Sequence, residues 1–242
     1  MKDFFTELLN KAAEKYSSKP SSEVSKAELA KHSAEINYIE NNYDEAIKNY
    51  QLALESDQNY FEAHYWIGRC YFESNKLDKA IESFNNFISL EKDFKDAYYW
   101  VGLSYYKKFD YQSAINVYEI AISKGVPPAR YYCMISYCCI KNNKINKAIT
   151  SAKKAILLDN KFSESYICLG IAYNLIFSYE LAIENFNKAL EIEFNEARAY
   201  LGLGMAYFGL NQITESKKHF LQAKLIDPDF TEYIDKILEK IP

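Results

Sequence analysis

A small side chain returns every 34 residues along most of this 242-residue chain. The series is Ala46, Ala80, Ala114, Ala148, Ala182 and, at the sixth place, Ser216. Two more series keep the same interval, one small (Ala34, Gly68, Gly102, Ser136, Gly170, Gly204) and one aromatic (Tyr50, Phe84, Tyr118, Phe186, Phe220). A fixed period of this length predicts an array in which each repeat is one supersecondary unit that stacks on its neighbours.

Each repeat is predicted to consist of two helices joined by a short turn. In the second repeat, helix A is expected over residues 62–74 and helix B over residues 78–90. The turn contains Asn75, and asparagine tolerates a left-handed backbone at a helix end. The same place in other repeats holds Asn41, Asn143 and Asn211. Small residues such as Gly68 and Ala80 would let the two helices approach closely, so the sequence predicts an all-α fold.

The spacing resembles the tetratricopeptide repeat, a family with this period. The residues that carry the resemblance are Ile67, Gly68, Tyr71, Ala80 and Phe84 in the second repeat and Asp227-Pro228 at the end of the last. Six repeats cover residues 27–230, with bounds at 27–60, 61–94, 95–128, 129–162, 163–196 and 197–230. The resemblance implies a right-handed superhelical solenoid of stacked helix-turn-helix repeats.

Two segments flank the repeats. Residues 1–16 have the pattern of an amphipathic helix, residues 17–26 are typical of a linker, and residues 231–242 are expected to form a C-terminal capping helix. The N-terminal helix is predicted either to cap the weak first repeat or to occupy the groove. Between the third and fourth repeats, Gly125 should stop a helix before Pro127 and Pro128. That junction is interpreted as a local variant of the turn or as a change of pitch between two halves.

Composition and motifs argue against several classes of protein. A net charge of −4 disfavours a nucleic-acid surface, and no apolar stretch approaches the ~18 residues of a membrane span. Without a signal-peptide pattern, the chain is predicted to be cytoplasmic. The five cysteines and three histidines lack the paired spacing of metal ligands, and phosphate-binding and nucleophile motifs are absent. We therefore expect no catalytic residue, no cofactor and no metal, and we predict that the chain is not an enzyme.

The resemblance also implies where a partner binds, because helix A lines the concave face in this family. The residues that map to that face are Tyr65, Arg69, Phe72, Tyr99, Leu103, Tyr106, Lys107, Tyr137, Ile140, Lys141, Ile167, Ile171, Asn174, Leu201, Met205 and Phe208. Most are aromatic or aliphatic, and apolar patches on a protein surface mark interaction sites. An alternative is that part of this strip packs against adjacent helices. The carboxylate clamp of chaperone-docking repeats is broken, because Glu35, Trp66 and Asp96 replace its residues.

The predicted function is a non-enzymatic scaffold that binds a peptide or protein segment in this groove, as an adaptor, assembly factor or co-chaperone. Three cations on the face, Arg69, Lys107 and Lys141, favour a segment with acidic residues. Two alternatives remain open at this point. The chain would be a self-associating structural protein that forms a homo-oligomer, or a regulatory subunit of an enzyme complex.

Overall fold

The computed structural model describes residues 25–90, 96–125 and 128–239. These residues form thirteen α-helices and one 3-10 helix (Pro228–Phe230), and they contain no β-strand. In chain order the α-helices are α1 (Lys26–Ile39), α2 (Tyr43–Ser56), α3 (Glu62–Glu73), α4 (Leu77–Leu90), α5 (Asp96–Lys107), α6 (Tyr111–Ser123), α7 (Pro128–Lys141), α8 (Ile145–Leu158), α9 (Ser163–Leu175), α10 (Tyr179–Ile192), α11 (Ala197–Gly209), α12 (Ile213–Ile226) and α13 (Thr231–Leu238).

Helices α1 to α12 are the A and B helices of the six repeats, in alternation. The described residues divide into two compact units between residues 110 and 111, so the boundary falls inside the third repeat. In the first unit each helix packs on the next from α1 to α5, and α3 also contacts α5. In the second unit the same succession runs from α6 to α12, and the A helices α7, α9 and α11 contact one another in order. The predicted stacking of helix pairs is confirmed within each unit.

The small residues of the repeat are explained by aromatic rings that lie against them. A Cβ atom added to Gly68 would come within 2.8 Å of the Phe84 ring, and one added to Gly204 would come within 2.5 Å of the Phe220 ring. Both rings are fully buried, as is Ala80. Burial of an aromatic side chain of this size contributes about 1.5–3 kcal/mol. The predicted close approach of the two helices in a repeat is therefore confirmed, and it makes room for a large ring.

All six turns between helices A and B contain one residue in the left-handed conformation. The residues and their φ angles are Asn41 (62°), Asn75 (58°), Phe109 (62°), Asn143 (54°), Phe177 (60°) and Asn211 (60°). The prediction for the four asparagines is confirmed. The two phenylalanines were not predicted to adopt this conformation, which costs about 1–2 kcal/mol for residues other than glycine and is best tolerated by asparagine and aspartate. Their side chains are 77% and 75% exposed, so little burial offsets the strain.

Specific contacts stabilise the first and the last described helix of the array. The Glu28 backbone N–H donates to Ser25 Oγ (3.1 Å) and the Ser25 N–H donates to Glu28 Oε2 (3.0 Å), which confirms the predicted capping box at the start of α1. At the other end Ile234 of α13 is fully buried against Phe220 and Ala223. The predicted N-terminal helix at residues 1–16, and the linker as far as residue 24, lie outside the described residues.

The junction between the third and fourth repeats follows the sequence in part. Gly125 ends the turn after α6 with a φ of 77°, a left-handed value that glycine adopts at no steric cost. Helix α7 begins at Pro128. Proline suits the first helical position because an N–H group there has no acceptor within the helix, so its absence costs nothing. Residues 126 and 127 lie outside the part of the chain that the structure describes.

Candidate partner-binding faces

The A helices of each unit present one face, and the two faces are described separately. The first A-helix face is formed by α1, α3 and α5, and the second by α7, α9 and α11.

The first A-helix face is built around two tryptophans that occupy the sixth place of successive repeats. Trp66 packs edge-on against Tyr38, with ring centroids 5.6 Å apart, and Trp100 packs edge-on against Phe72, at 5.1 Å. The Trp100 indole Nε1 donates to the Tyr65 hydroxyl (2.9 Å). These tryptophans are not among the residues predicted for the face, although their 34-residue separation in the sequence indicates that they share one place in the repeat.

A buried arginine lies among these rings. The Arg69 guanidinium carbon is 3.8 Å from the centroid of the Trp100 ring and 5.8 Å from that of Tyr38. One terminal nitrogen donates to Glu73 Oε1 (3.2 Å), while the buried Nε has no hydrogen-bond partner. Only 9% of the Arg69 side chain is exposed. Although burial opposes the charged form, Tyr38, Tyr65 and Glu73 raise the pKa of Arg69 above its usual value. The face therefore holds a permanent positive charge beneath its aromatic rings, and that charge is paired with Glu73.

The predicted residues of the first face occupy two levels. Tyr65, Arg69 and Phe72 are buried and underlie the face. The side chains of Tyr99, Leu103 and Tyr106 are half-buried, and that of Lys107 is exposed. The Lys107 Nζ atom is 4.3 Å from the centroid of the Phe72 ring, which holds a second cation near the aromatic cluster.

The second A-helix face is more apolar and more open. Ile167 is fully buried, so it supports the face from below. The half-buried residues are Tyr137, Ile140, Ile171, Asn174 and Leu201. The exposed ones are Lys141, Met205 and Phe208. At its centre the Asn174 side-chain amide donates to the Gly202 carbonyl (2.9 Å), and its buried Oδ1 has no partner. The face thus keeps one unused acceptor among aliphatic side chains.

Arg198 ties the three helices of the second face together, and it was not predicted from sequence. Its guanidinium donates to the Tyr137 hydroxyl of α7 (3.1 Å), to Glu164 Oε1 of α9 (3.1 Å) and to Glu196 Oε1 (2.9 Å). The hydrogen bond with Glu196 is the main cause of a raised Arg198 pKa. Burial opposes ionisation of Glu196, yet the contacts with Arg198 lower its pKa below the usual value. Glu164 and Arg198 hold the same place in successive repeats, and this 34-residue separation of opposite charges is the feature of the sequence that could have predicted their ion pair.

The cysteines are buried thiols. All five are free, and Cys133 Sγ of α7 lies 3.2 Å from Cys168 Sγ of α9. The hydrogen bond with Cys168, together with burial, raises the pKa of Cys133 well above its usual value. Among the described residues no three histidine, cysteine or acidic side chains are grouped closely enough to hold a metal ion. In the same residues no helix has both the length and the apolar character needed to cross a membrane.

Comparison with known protein families gives matches along most of the array. Models of the tetratricopeptide repeat match residues 38–100, 96–124, 129–162 and 197–230, which together exceed half of the chain. Among curated proteins, anaphase-promoting complex subunit 3 of Schizosaccharomyces pombe is 26% identical over 98 residues, 40% of this chain and 15% of that protein. Superkiller protein 3 of the same organism is 48% identical over 50 residues, 21% of this chain and 4% of that protein. The chain thus spans a small part of these relatives.

Solved structures show the same architecture at low sequence identity. A chain of the APC/C hetero-tetramer Cut9–Hcn1 has a TM-score of 0.71 at 16% identity, covering 94% of this chain and 44% of its own. The type IV pilus biogenesis factor PilW has a TM-score of 0.71 at 17% identity, covering 88% and 98%. YrrB, described as a tetratricopeptide repeat protein with an unusual peptide-binding site, has a TM-score of 0.56 at 19% identity, covering 79% and 97%. At these identities the likenesses establish the fold.

Proposed function

Because the chain belongs to the tetratricopeptide repeat family, whose members mediate protein–protein interactions, we propose that it is a non-enzymatic scaffold that binds a peptide or protein segment on its A-helix faces. It would act as an adaptor, assembly factor or co-chaperone, in the cytoplasm, and without a metal or cofactor. The observation that carries the proposal is the aromatic cluster around Arg69, in which a buried cation lies beneath half-buried aromatic and aliphatic side chains.

The first A-helix face has the chemistry of a site for an aromatic or aliphatic segment with an acidic group. Tyr99, Leu103 and Tyr106 are half-buried, so they are firmly placed yet still reachable. Covering an aromatic side chain removes up to about 150–250 Å² from water, and anchors of this kind carry most of the affinity at interfaces. Arg69 and Lys107 outnumber Glu73 within the cluster, which favours a carboxylate on the partner.

The second A-helix face, considered by itself, has the chemistry of a site for an apolar segment. Ile171, Met205 and Phe208 leave apolar surface accessible there, and Lys141 is the exposed cation at its edge. Two relatives support a role in recognition or assembly by analogy. Anaphase-promoting complex subunit 3 is named as part of a complex, and YrrB is described as having a peptide-binding site.

A random peptide display library, selected against the full chain, tests the proposal and requires no assumption about the identity of the partner. We expect enriched peptides to combine an aromatic or aliphatic residue with Asp or Glu. Fluorescence anisotropy of a synthetic enriched peptide should show at least about tenfold weaker binding to Tyr99→Ala, since truncated interface anchors cost that much or more. Lys107→Gln should also weaken binding.

Lys108→Gln is the matched control for Lys107→Gln. Lys108 is the next residue, is also exposed, and pairs with Asp78 instead of lying over Phe72. Unchanged affinity in this control is expected. Enriched peptides that lack acidic residues, or that bind Tyr99→Ala as tightly as the wild type, would overturn the assignment of this face.

A further inference from the structure

The turn between α9 and α10 exposes an aromatic side chain at a place where asparagine is the common residue. Phe177 adopts a φ of 60° and is 75% exposed. Four of the six repeats place asparagine at the equivalent position, where it satisfies the left-handed turn. An aromatic side chain there strains the backbone and stays in contact with water. Phe109 shares this backbone angle and exposure, so what distinguishes Phe177 is an exposed aromatic side chain on a turn without charged residues.

Phe177 is part of a larger apolar surface that joins two turns of the second unit. The neighbouring side chains Leu175 and Ile176 are 48% and 42% exposed, and Phe208, at the end of α11, is 40% exposed. Phe177 contacts the Tyr179 ring edge-on, with centroids 6.2 Å apart. The Tyr179 ring in turn lies so close to Gly209 that a Cβ there would be 2.2 Å from it. We call these residues, Leu175, Ile176, Phe177, Tyr179, Phe208 and Gly209, the turn patch.

The turn patch has no charge of its own. Residues 174–179 and 208–213 contain no Asp, Glu, Lys or Arg, whereas the equivalent turn of the third repeat contains Lys107, Lys108 and Asp110. The chain as a whole carries a net charge of −4, which gives two copies a weak overall repulsion. The turn patch can meet an identical patch without bringing like charges together.

From these observations we propose that the turn patch is a docking site for a second copy of this chain. Interfaces between identical subunits are more apolar than those between different proteins, which matches an uncharged patch better than a partner chosen by charge. The pairing would be isologous, with the same residues contributed by both copies around a twofold axis. The turn patch shares Phe208 with the second A-helix face, whereas Leu175, Ile176 and Phe177 close the helix-to-helix turn, so substitutions at Ile176 and Phe177 test the dimer separately from partner binding on that face.

The size of the patch sets the expected strength of the dimer. With roughly 200 Å² for a fully exposed large side chain, the four exposed residues offer about 400 Å² per copy and about 800 Å² per pair. That area lies below the range of stable complexes. The dimer is therefore weak and forms with rising concentration, in exchange with the monomer.

Sedimentation velocity on the full chain, from low to high micromolar concentration, tests the proposal. The wild type should shift from monomer toward dimer. Phe177→Asn should weaken dimerisation at least about tenfold and leave the melting temperature equal or higher, because asparagine relieves the turn. Ile176→Glu should also weaken it, because a twofold axis would bring two new carboxylates into one interface.

Phe109→Asn is the matched control, since it makes the same change at the same place in the third repeat, on a charged turn. We expect the control to dimerise like the wild type. A wild-type chain that remains monomeric at every concentration overturns the proposal. Dimerisation of equal strength in Phe177→Asn and Ile176→Glu likewise overturns it, because the contact would then lie elsewhere.

Discussion

Replacement of Gly202 by alanine sets helix propensity against packing, and the structure indicates which effect is larger. Alanine is better than glycine in a helix interior by about 0.8–1.0 kcal/mol, so propensity alone predicts that Gly202→Ala stabilises α11. The new Cβ, however, would lie 2.2–2.6 Å from three carbons of the Phe186 ring. That ring is fully buried in the core of the second unit.

The ring has little room to retreat, because a second glycine lies against it. Gly170 of α9 is close enough that a Cβ there would be 2.7–2.9 Å from the same ring. Overpacking of a core costs about 1–3 kcal/mol, and confinement from two helices places this site at the upper end. After subtraction of the propensity gain, we expect a net loss of about 2 kcal/mol. For a chain of this size, the melting temperature should fall by about 4–8 °C.

Circular dichroism melts and urea titrations measure this effect, with Gly209→Ala as the control. At Gly209 the obstructing ring is that of Tyr179, which is only half-buried and can move aside, so little net change is expected. Addition of Phe186→Leu to Gly202→Ala should cost less than the sum of the two single changes. A melting temperature of Gly202→Ala at or above that of the wild type would show that the interhelical contact does not limit this site.

Three further predictions concern other parts of the molecule. Contacts with Arg198 lower the Glu196 pKa below its usual value of 4.5. The ionised carboxylate therefore stabilises the fold at higher pH, and this contribution is lost as the pH falls through the folded-state pKa. Glu196→Gln should flatten the pH dependence of the unfolding free energy, measured by urea titration, between about pH 5 and 3. Burial raises the pKa values of Cys70 and Cys138 to about 12, and all five cysteines are buried, so a thiol reagent at neutral pH should label none in the native chain and five after unfolding. Leu29 of α1 is 56% exposed, so the N-terminal segment could cap this helix. In that case deletion of residues 1–21 should lower the melting temperature and leave the peptide affinity unchanged. Higher peptide affinity at an unchanged melting temperature would indicate instead that the segment occupies the groove.

The periodic sequence predicted those features that depend on residue size at a fixed position. Gly68 and Ala80 were correctly interpreted as points of close approach, because only small side chains admit a ring at a helix crossing. The left-handed turns were predicted at asparagines but not at Phe109 and Phe177. At those places the stacking of helix pairs imposes the backbone angle on whatever residue is present, so residue type alone could not reveal it.

The candidate faces were less accessible to sequence reasoning. Places within a repeat define which helix face a residue occupies, yet they do not say how far neighbouring rings cover it. Tyr65 and Arg69 are buried because Trp100 of the next A helix lies across them, a contact between residues in different repeats. Arg198 was overlooked for a similar reason, since its partners Tyr137 and Glu164 come from two earlier repeats.

The position of the Phe186 ring has a consequence for motion. The side chain belongs to α10 but lies against glycines of α9 and α11, so it spans the boundary between the fifth and sixth repeats. A half-turn of the ring about its Cβ–Cγ axis sweeps out more space than the two helices leave, so it requires a brief separation of the repeats. The flipping rate of this one phenyl group, visible as the merging of its two δ proton resonances on warming, therefore reports how often neighbouring repeats part in the folded chain.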